Sequence, residues 1–166
     1  MANINLPMSA MQKANGLTLP EYKVAGEIDY YGFDDSADEG GIWRIGQLPT
    51  LAAAGDMTVD IDFFASATTS SVQFGVQALA YSVGTDTTAL SAATFAAAVS
   101  SAATTVAASA DVPVRVTVTL ANGVHQDSAV TDDYFVLKIY RDTGATGDTL
   151  SGDAEVVAVH LSYSSS

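Results

Sequence analysis

The chain has 166 residues, 48% of them hydrophobic, which indicates one globular domain with a substantial core. Its 19 acidic and 6 basic residues give a net charge of -13, which argues against nucleic acid or an anionic membrane as a partner. The absence of cysteine excludes disulfides, thiolate metal sites and a cysteine nucleophile. The first residues lack the basic and apolar regions of a secretory signal, and no apolar run approaches the roughly 20 residues of a membrane span.

The first 23 residues show no sustained period. They contain Pro7, Gly16 and Pro20, and their apolar side chains are irregularly spaced. We expect them to lie along a surface, either of their own domain or of a neighbouring subunit, and an ordinary first strand with a loop is the alternative. The predicted organisation is an N-terminal arm over 1–23 and a β-sandwich domain over 24–166.

Apolar and polar residues then alternate in a series of segments, which is typical of strands with one buried face. The predicted strands are 24–33, 42–48, 56–65, 72–81, 112–120, 134–140 and 156–163. We expect a connection at 49–55 and a polar hairpin loop at 68–71. The outer face of 72–81 mixes Leu79 and Tyr81 with Gln77, so part of it should be covered by another element or subunit.

The last two predicted strands flank a loop rich in Gly, Thr and Asp, so we expect an antiparallel pair with a long connection. In the final strand, the residues predicted to face inward are Val157, Val159, Leu161 and Tyr163. The alanine-rich stretch 89–110 predicts a helical turn or strand near 94–99 and an exposed strand near 104–107. With no βαβ rhythm, the fold class is all-β: an antiparallel two-sheet sandwich, jelly-roll-like, with an extended N-terminal arm.

The sequence offers little for catalysis. Its two histidines, His125 and His160, lack the spacing of a zinc site, and no Gly-x-Ser-x-Gly elbow is present. An enzyme would need a pocket that joins one of them to Asp132 or Asp133. We therefore predict a non-enzymatic protein with no catalytic residue and no cofactor.

Two acidic loops are candidate cation sites. In 142–153, Asp142, Asp148 and Asp153 could meet around Ca²⁺, but Asp and Gly are also the residues that a tight connection needs. The loop 34–41 carries four acidic residues without the spacing of a calcium-binding loop. We favour the structural interpretation of both loops and predict no metal ligand. Arg141 should pin the first loop through a charge-assisted hydrogen bond.

Exposed aromatic residues are the feature through which a β-sandwich presents a platform for a sugar. The candidates here are Tyr22, Tyr30, Tyr31, Trp43 and Tyr81. One exposed tyrosine is ordinary, whereas a row of them would form a platform. Alternation assigns side chains to faces and does not order the strands, so the sequence leaves this question open.

The C-terminal segment resembles the end of small structural proteins from tailed bacteriophage virions. In that group, a strand ending in Arg-Asp is followed by Asp-Thr-Leu-x-Gly-Asp-Ala and a final strand that closes on Tyr. The phrases at 15–20 and 31–35 are also similar, so the resemblance covers about half of the chain. The matching C-terminal positions are Arg141, Asp142, Asp148, Thr149, Leu150, Gly152, Asp153, Ala154 and Tyr163.

The resemblance implies a non-catalytic virion component, a capsid cement or decoration protein assembled in the host cytoplasm. Its partner would be the major capsid protein on the outside of the head, bound by a homotrimer. The acidity of the chain would suit docking onto a more basic shell. The alternative is a receptor- or carbohydrate-binding β-sandwich module of a phage fibre or spike.

Overall fold

The computed structural model describes residues 2–48 and 55–164. The predicted connection at 49–55 therefore lies almost wholly outside the described residues. No helix in the described ranges is long and apolar enough to span a membrane. The described chain contains two 3₁₀ turns, Met8–Ala10 and Leu90–Ala92, and these strands: β1 Ala2–Leu6, β2 Gln12–Lys13, β3 Glu21–Ala25, β4 Ile28–Phe33, β5 Gly40–Gln47, β6 Met57–Phe64, β7 Ser71–Val72, β8 Phe74–Tyr81, β9 Val99–Ser100, β10 Thr104–Thr105, β11 Val114–Leu120, β12 Tyr134–Arg141 and β13 Ala154–Tyr163.

The strands form two main antiparallel sheets that face each other across one core. Sheet A has the order β11-β6-β13-β4-β3, and β1 pairs with the C-terminal half of β13. Sheet B has the order β2-β5-β12-β8-β9, and β7 pairs with β10 in a small third sheet. This architecture confirms the predicted antiparallel two-sheet sandwich.

Alternation along the strands builds the core. In β6, Met57, Val59, Ile61 and Phe63 are all buried, while the residues between them are half-buried. Across the core, Phe74 of β8 meets the ring of Phe63 edge-on, with centroids 5.4 Å apart. Such contacts join the inner faces of the two sheets into one apolar interior.

The N-terminal segment contributes to both sheets. Strand β1 pairs with β13 along its whole length, and β2 pairs with β5. Leu6 at the end of β1, and Met8 and Met11 between β1 and β2, are buried in the core. The indole nitrogen of Trp43 donates a hydrogen bond to the Pro7 carbonyl at 2.9 Å, which ties the connection to β5.

The predicted pairing of the two C-terminal strands is wrong. Strand β12 is the central strand of sheet B, whereas β13 lies at the centre of sheet A. The intervening loop, residues 142–153, crosses from one sheet to the other. The predicted hairpin at 68–71 is wrong for the same reason, since β6 belongs to sheet A and β8 to sheet B.

The predicted facing of β13 is right at its end and wrong at Val157. The pairing of β13 with β6 shifts register between Val156 and Ala158, which is a β-bulge. Val156 and Val159 are both buried, whereas Val157 is half-buried and lines a groove on the outer face. The extra residue in the bulge allows both halves of the strand to bury their valines.

Three further segments depart from the sequence prediction. The strand expected over 24–33 is interrupted by a turn with Gly26 at φ +63°, so its first two residues end β3 and its last six form β4. Val112 was expected to face inward, but it is 46% exposed because β11 begins only at Val114, after Pro113. In the alanine-rich stretch, the strand expected near 104–107 is present but only two residues long, as β10, and the strand nearest to 94–99 is the two-residue β9, which begins at Val99.

Candidate functional site

The loop 142–153 is fixed by a buried arginine. The Arg141 side chain is 0% exposed and donates to both carboxylate oxygens of Asp148, from Nε at 3.0 Å and from Nη2 at 2.8 Å. Its Nη1 donates to the carbonyls of Phe33 at 3.0 Å and Gly152 at 2.6 Å, and Nη2 also donates to the Leu150 carbonyl. The hydrogen bond expected between Arg141 and a loop carboxylate is therefore present.

The three aspartates proposed as a cation site bind different partners. Asp148 is bound by Arg141, Asp142 accepts a hydrogen bond from Ser100 at 2.9 Å, and Asp153 is 2.6 Å from the Lys23 ammonium. The Asp153 carboxylate raises the pKa of Lys23. Within 2–48 and 55–164, no group of three or more acidic or histidine side chains is arranged to hold a metal ion.

The acidic loop 34–41 is tied down by backbone hydrogen bonds. Asp34 accepts from the amide of Ser36 at 2.6 Å, and its hydrogen bonds with Ser36 lower the pKa of the carboxyl. Asp35 accepts from the amide of Gly152 and Asp38 from that of Thr143, so the two acidic loops are joined. Burial raises the pKa of Glu39. The carboxylates of Asp34, Asp35 and Asp38 therefore stabilise the two loops through hydrogen bonds.

The two histidines and Asp133 each bind separate partners. The Nδ1 atom of His160 lies 2.8 Å from Asn5 Oδ1, and Nδ1 of His125 accepts a 3.3 Å bond from the Ala121 amide. The Asp133 carboxylate accepts from the Ser82 hydroxyl and the Val130 amide. Among the described residues, no ion pair joins His125 or His160 to Asp132 or Asp133.

The five candidate aromatic residues separate into different environments. Trp43 and Tyr31 are core residues, 2% and 7% exposed. Tyr22 is exposed on β3, and Tyr30 lies on the outer face of sheet A with its ring 5.2 Å from that of Phe64. Only Tyr81 stands on the outer face of sheet B, and there it has aromatic neighbours.

Tyr81 and Tyr134 stand side by side on that face. They are direct cross-strand partners in the pairing of β8 with β12, which sets their Cβ atoms about 5 Å apart. The next pair on the same face is Leu79 with Val136, and the one after it is Gln77 with Lys138. On the other side of β12, Arg44 of β5 is the partner of Val136. Tyr81 and Tyr134 thus form a row of two aromatic side chains, and the apolar pair Leu79 and Val136 lies beside them.

Residues 82–98 cover part of this face. The Ala96 amide donates to the Ala78 carbonyl at 2.8 Å, and Gln77 Nε2 donates to the Ala96 carbonyl at 2.9 Å. The Tyr81 hydroxyl donates to the Thr88 carbonyl at 2.9 Å. The mixed outer face of β8 is thus partly covered by another element, as the sequence predicted.

The uncovered part is a groove of about 610 Å³, hereafter the sheet B groove. Its aromatic side chains are Tyr81, Phe95 and Tyr134, and its two polar side chains at the edge are Asn15 and Arg44. The remaining lining is aliphatic: Ile42, Leu79, Val83, Leu90, Ala93 and Val136. An apolar depression with a few polar groups is the usual form of a small-ligand site. Sequence reasoning found Tyr81 and missed Tyr134 and Phe95.

The cations near this groove lack acidic partners. The Lys138 ammonium lies 5.2 Å from the centre of the Phe95 ring and 5.4 Å from that of Tyr140, in two cation–π contacts. Burial lowers the pKa of Lys138. Arg44 is exposed, and no carboxylate among the described residues lies within 4.0 Å of it.

The outer face of sheet A differs in character. Along one row of cross-strand partners run Asn5, His160, Asp60 and Thr117. The Thr117 hydroxyl donates to Asp60, and the Arg115 guanidinium makes two bonds to Asp62. The polar side chains of this face therefore bind one another. Beside them lies a second groove of about 500 Å³, which includes Tyr30, Phe64 and Glu155.

Comparison with known proteins bears on the fold. No family model and no curated protein matches the chain. The family 35 carbohydrate-binding module of Abf62 from Cellvibrio japonicus is similar in structure, with a TM-score of 0.53, 7% identity, and coverage of 99% of this chain and 95% of that one. A Xyl-CBM35 in complex with a glucuronic acid containing disaccharide also has a TM-score of 0.53, at 8% identity over 100% and 95%.

A xylan-binding module of family 15 has a TM-score of 0.51, 14% identity, and coverage of 99% of this chain and 97% of that one. These three structures are carbohydrate-binding modules and not virion proteins. At such low identity they show the fold alone, a β-sandwich of the jelly-roll type. The whole described chain takes part in the similarity, including the N-terminal residues assigned to an arm.

Proposed function

We propose that the chain is a non-catalytic carbohydrate-binding module and that a sugar occupies the sheet B groove. The observation that carries this proposal is the pair Tyr81 and Tyr134, which stand side by side on the floor of the groove with Phe95 at its wall. Similar structures that are carbohydrate-binding modules support it. The proposal is the carbohydrate-binding form of the alternative that the sequence left open, a receptor- or carbohydrate-binding β-sandwich module of a phage fibre or spike.

The chemistry of the groove suits a pyranose ring. Such a ring has a face of C–H groups, which packs on an aromatic ring, and an edge of hydroxyls, which needs hydrogen-bond partners. Tyr81 and Tyr134 offer the aromatic surface, and the side chains of Asn15 and Arg44 offer polar atoms at the edge. Because β8 and β12 are neighbouring strands within the sheet, the platform is held in place before the sugar arrives.

The test is calorimetric titration of the chain with a panel of soluble glycans: glucuronoxylan, its carboxyl-reduced form, β-1,3-glucan, arabinan and polygalacturonate. We expect at least one of these glycans to bind, and Tyr134→Ala to weaken that binding by at least about tenfold, since stacked aromatic contacts dominate such sites. Leu79→Asn in the floor of the groove should weaken it as well.

The matched control is Tyr22→Ala, which removes an exposed tyrosine from β3 in sheet A. It should leave glycan binding unchanged. Circular dichroism and the melting temperature establish that each variant is folded. Failure of every glycan in the panel to bind, or equal affinity of Tyr134→Ala and the unmodified chain, would contradict the proposal.

A second candidate function is that of a capsid decoration protein, which rests on the resemblance of the C-terminal segment to virion proteins. We assign the contact to the outer face of sheet A, where mutual hydrogen bonds hold the polar side chains in place. The chain would then bind the major capsid protein as a homotrimer on the outside of the head.

This candidate has its own test, co-purification with the major capsid protein that the chain would decorate. Thr119→Arg, on the outer face of sheet A, should abolish the interaction, whereas Tyr134→Ala should preserve it. Light scattering of the isolated chain should give the mass of a trimer. If the Thr119→Arg variant still binds the capsid protein, the contact does not lie on this face.

A further inference from the structure

The charge of the chain is divided unevenly between its two sheets. The strands of sheet B contain no Asp or Glu. The strands of sheet A contain five acidic residues: Glu21, Asp29, Asp60, Asp62 and Glu155. The chain has 19 acidic residues in all. Because none of them lies on a strand of sheet B, no carboxylate on these strands offsets the attraction of a cation there for an external anion.

The basic residues divide in the same way. Lys23, Arg115 and Arg141 are each held by a carboxylate. The other three, Lys13, Arg44 and Lys138, lie on the adjoining strands β2, β5 and β12 of sheet B. Among residues 2–48 and 55–164, none of these three has a carboxylate within 4.0 Å.

Arg44 is the cation of this set that lines the sheet B groove. It is exposed, and it is the cross-strand partner of Val136, one step along the face from the row that holds Tyr81 and Tyr134. Two residues along a strand span about 7 Å. A guanidinium at that distance reaches a substituent of a sugar lying on the tyrosines, and its planar fork matches a carboxylate in a bidentate bond.

The other end of the groove repels anions. Beyond Tyr81 lies a polar pocket of about 350 Å³ that includes Asp86, Asp127 and Asp133. Asp127 accepts from the Ala80 amide, and Asp86 from the Ser82 amide. These carboxylates and the net charge of -13 disfavour a ligand with a negative charge on every residue.

We infer that the sheet B groove selects a glycan that is neutral along most of its length and carries an isolated uronic acid, whose carboxylate binds Arg44. This inference rests on the proposed carbohydrate-binding function and specifies the class of ligand. A neutral backbone lies on the tyrosines and passes the acidic pocket without repulsion. The single carboxylate meets the one cation at the groove edge.

The test uses two oligosaccharides that differ at one group: a xylotriose substituted with glucuronic acid, and the same compound with its carboxyl reduced to the alcohol. Titration calorimetry should show that the acid binds at least about tenfold more tightly, the amount expected of a hydrogen-bonded charge. Arg44→Gln should make the two affinities equal, and Arg44→Lys should restore part of the difference. Polygalacturonate should bind more weakly than glucuronoxylan.

The outcomes separate this inference from the proposed function. Equal binding of the acid and the alcohol, with dependence on Tyr134 but not on Arg44, overturns the inference and leaves the carbohydrate-binding function intact. Failure of the chain to bind any glycan of the panel overturns both. Tighter binding of polygalacturonate than of glucuronoxylan also overturns the inference, because it would mean that the acidic pocket does not repel a ligand with a charge on every residue. Since Arg44 is exposed and unpaired in the described chain, Arg44→Gln should not change the melting temperature.

Discussion

Replacing Arg141 by leucine should be among the most destabilising single substitutions in this chain. The side chain is fully buried and donates to both oxygens of Asp148 and to three backbone carbonyls. Leucine fills part of the volume and removes every donor. The Asp148 carboxylate, 3% exposed, is then left without its counter-charge, although the Gln73 amide still donates to it at 3.3 Å.

The magnitude follows from what remains behind. Removing one partner of a buried ion pair costs about 3–5 kcal/mol, because the other charge stays buried and uncompensated. For a domain of this size, such a loss lowers the melting temperature by roughly 6–20 °C. Urea unfolding monitored by the fluorescence of Trp43, the only tryptophan and a core residue, measures the free energy of unfolding directly.

The chain provides a matched control in Arg115. Its guanidinium also makes two hydrogen bonds to one aspartate, Asp62, but on the exposed outer face of sheet A. Arg115→Leu should cost no more than about 1 kcal/mol, since solvent screens an exposed ion pair. The double variant Arg141→Leu with Asp148→Leu should recover part of the loss. If Arg141→Leu and Arg115→Leu cost the same, burial of the first pair does not stabilise the loop.

Three further predictions concern the sandwich. Val159→Thr should lower the free energy of unfolding in urea by about 1–3 kcal/mol, because the new hydroxyl is buried without a partner. Val157→Thr should lower it much less, since the bulge turns Val157 outward. Equal losses would argue against the bulge. Val116→Asp should abolish folding by circular dichroism, and Thr119→Asp on the opposite face of β11 should not. Burial raises the pKa of Glu39, so ionisation of Glu39 destabilises the fold as pH rises above the unfolded value of about 4.3. Glu39→Gln should therefore be more stable than the unmodified chain at pH 7, with an advantage that disappears below pH 4; a constant difference across this range would exclude ionisation as the cause.

Alternation of apolar and polar residues predicted the buried faces of the strands well, but it did not predict which strands pair. In β6 it assigned the four buried residues correctly, because a strand with one wet face repeats every two residues. Nothing in that pattern says which strand lies alongside. The segments that became β12 and β13 were adjacent in sequence and were therefore expected to pair, yet they lie in opposite sheets. The bulge in β13 was equally hidden, since Val156 and Val157 are the same residue type.

The candidate site was accessible to sequence reasoning only in part. The mixed outer face of β8 was noticed, and with it Tyr81 and the need for a covering element. Tyr134 escaped notice as a partner because the register of β8 with β12 places it opposite Tyr81, and register is a property of the folded sheet. Phe95 lies in a segment without regular structure, where no period marks its side. A usable signal did exist, since both strands carry a tyrosine at the end of their outer face.

The net charge of the chain and the preference of its groove are separate quantities. At physiological ionic strength, exposed charges more than about 8 Å apart are largely screened from each other, so 19 acidic residues spread over the surface do not cancel one cation at close range. A polyanion extends far beyond the groove and meets the acidic surface, which is why nucleic acid and an anionic membrane remain poor partners. A single carboxylate meets only Arg44, on a sheet whose strands contain no acidic residue. Distinguishing a polyuronate from an isolated uronic acid therefore tests how charge is placed on this sandwich.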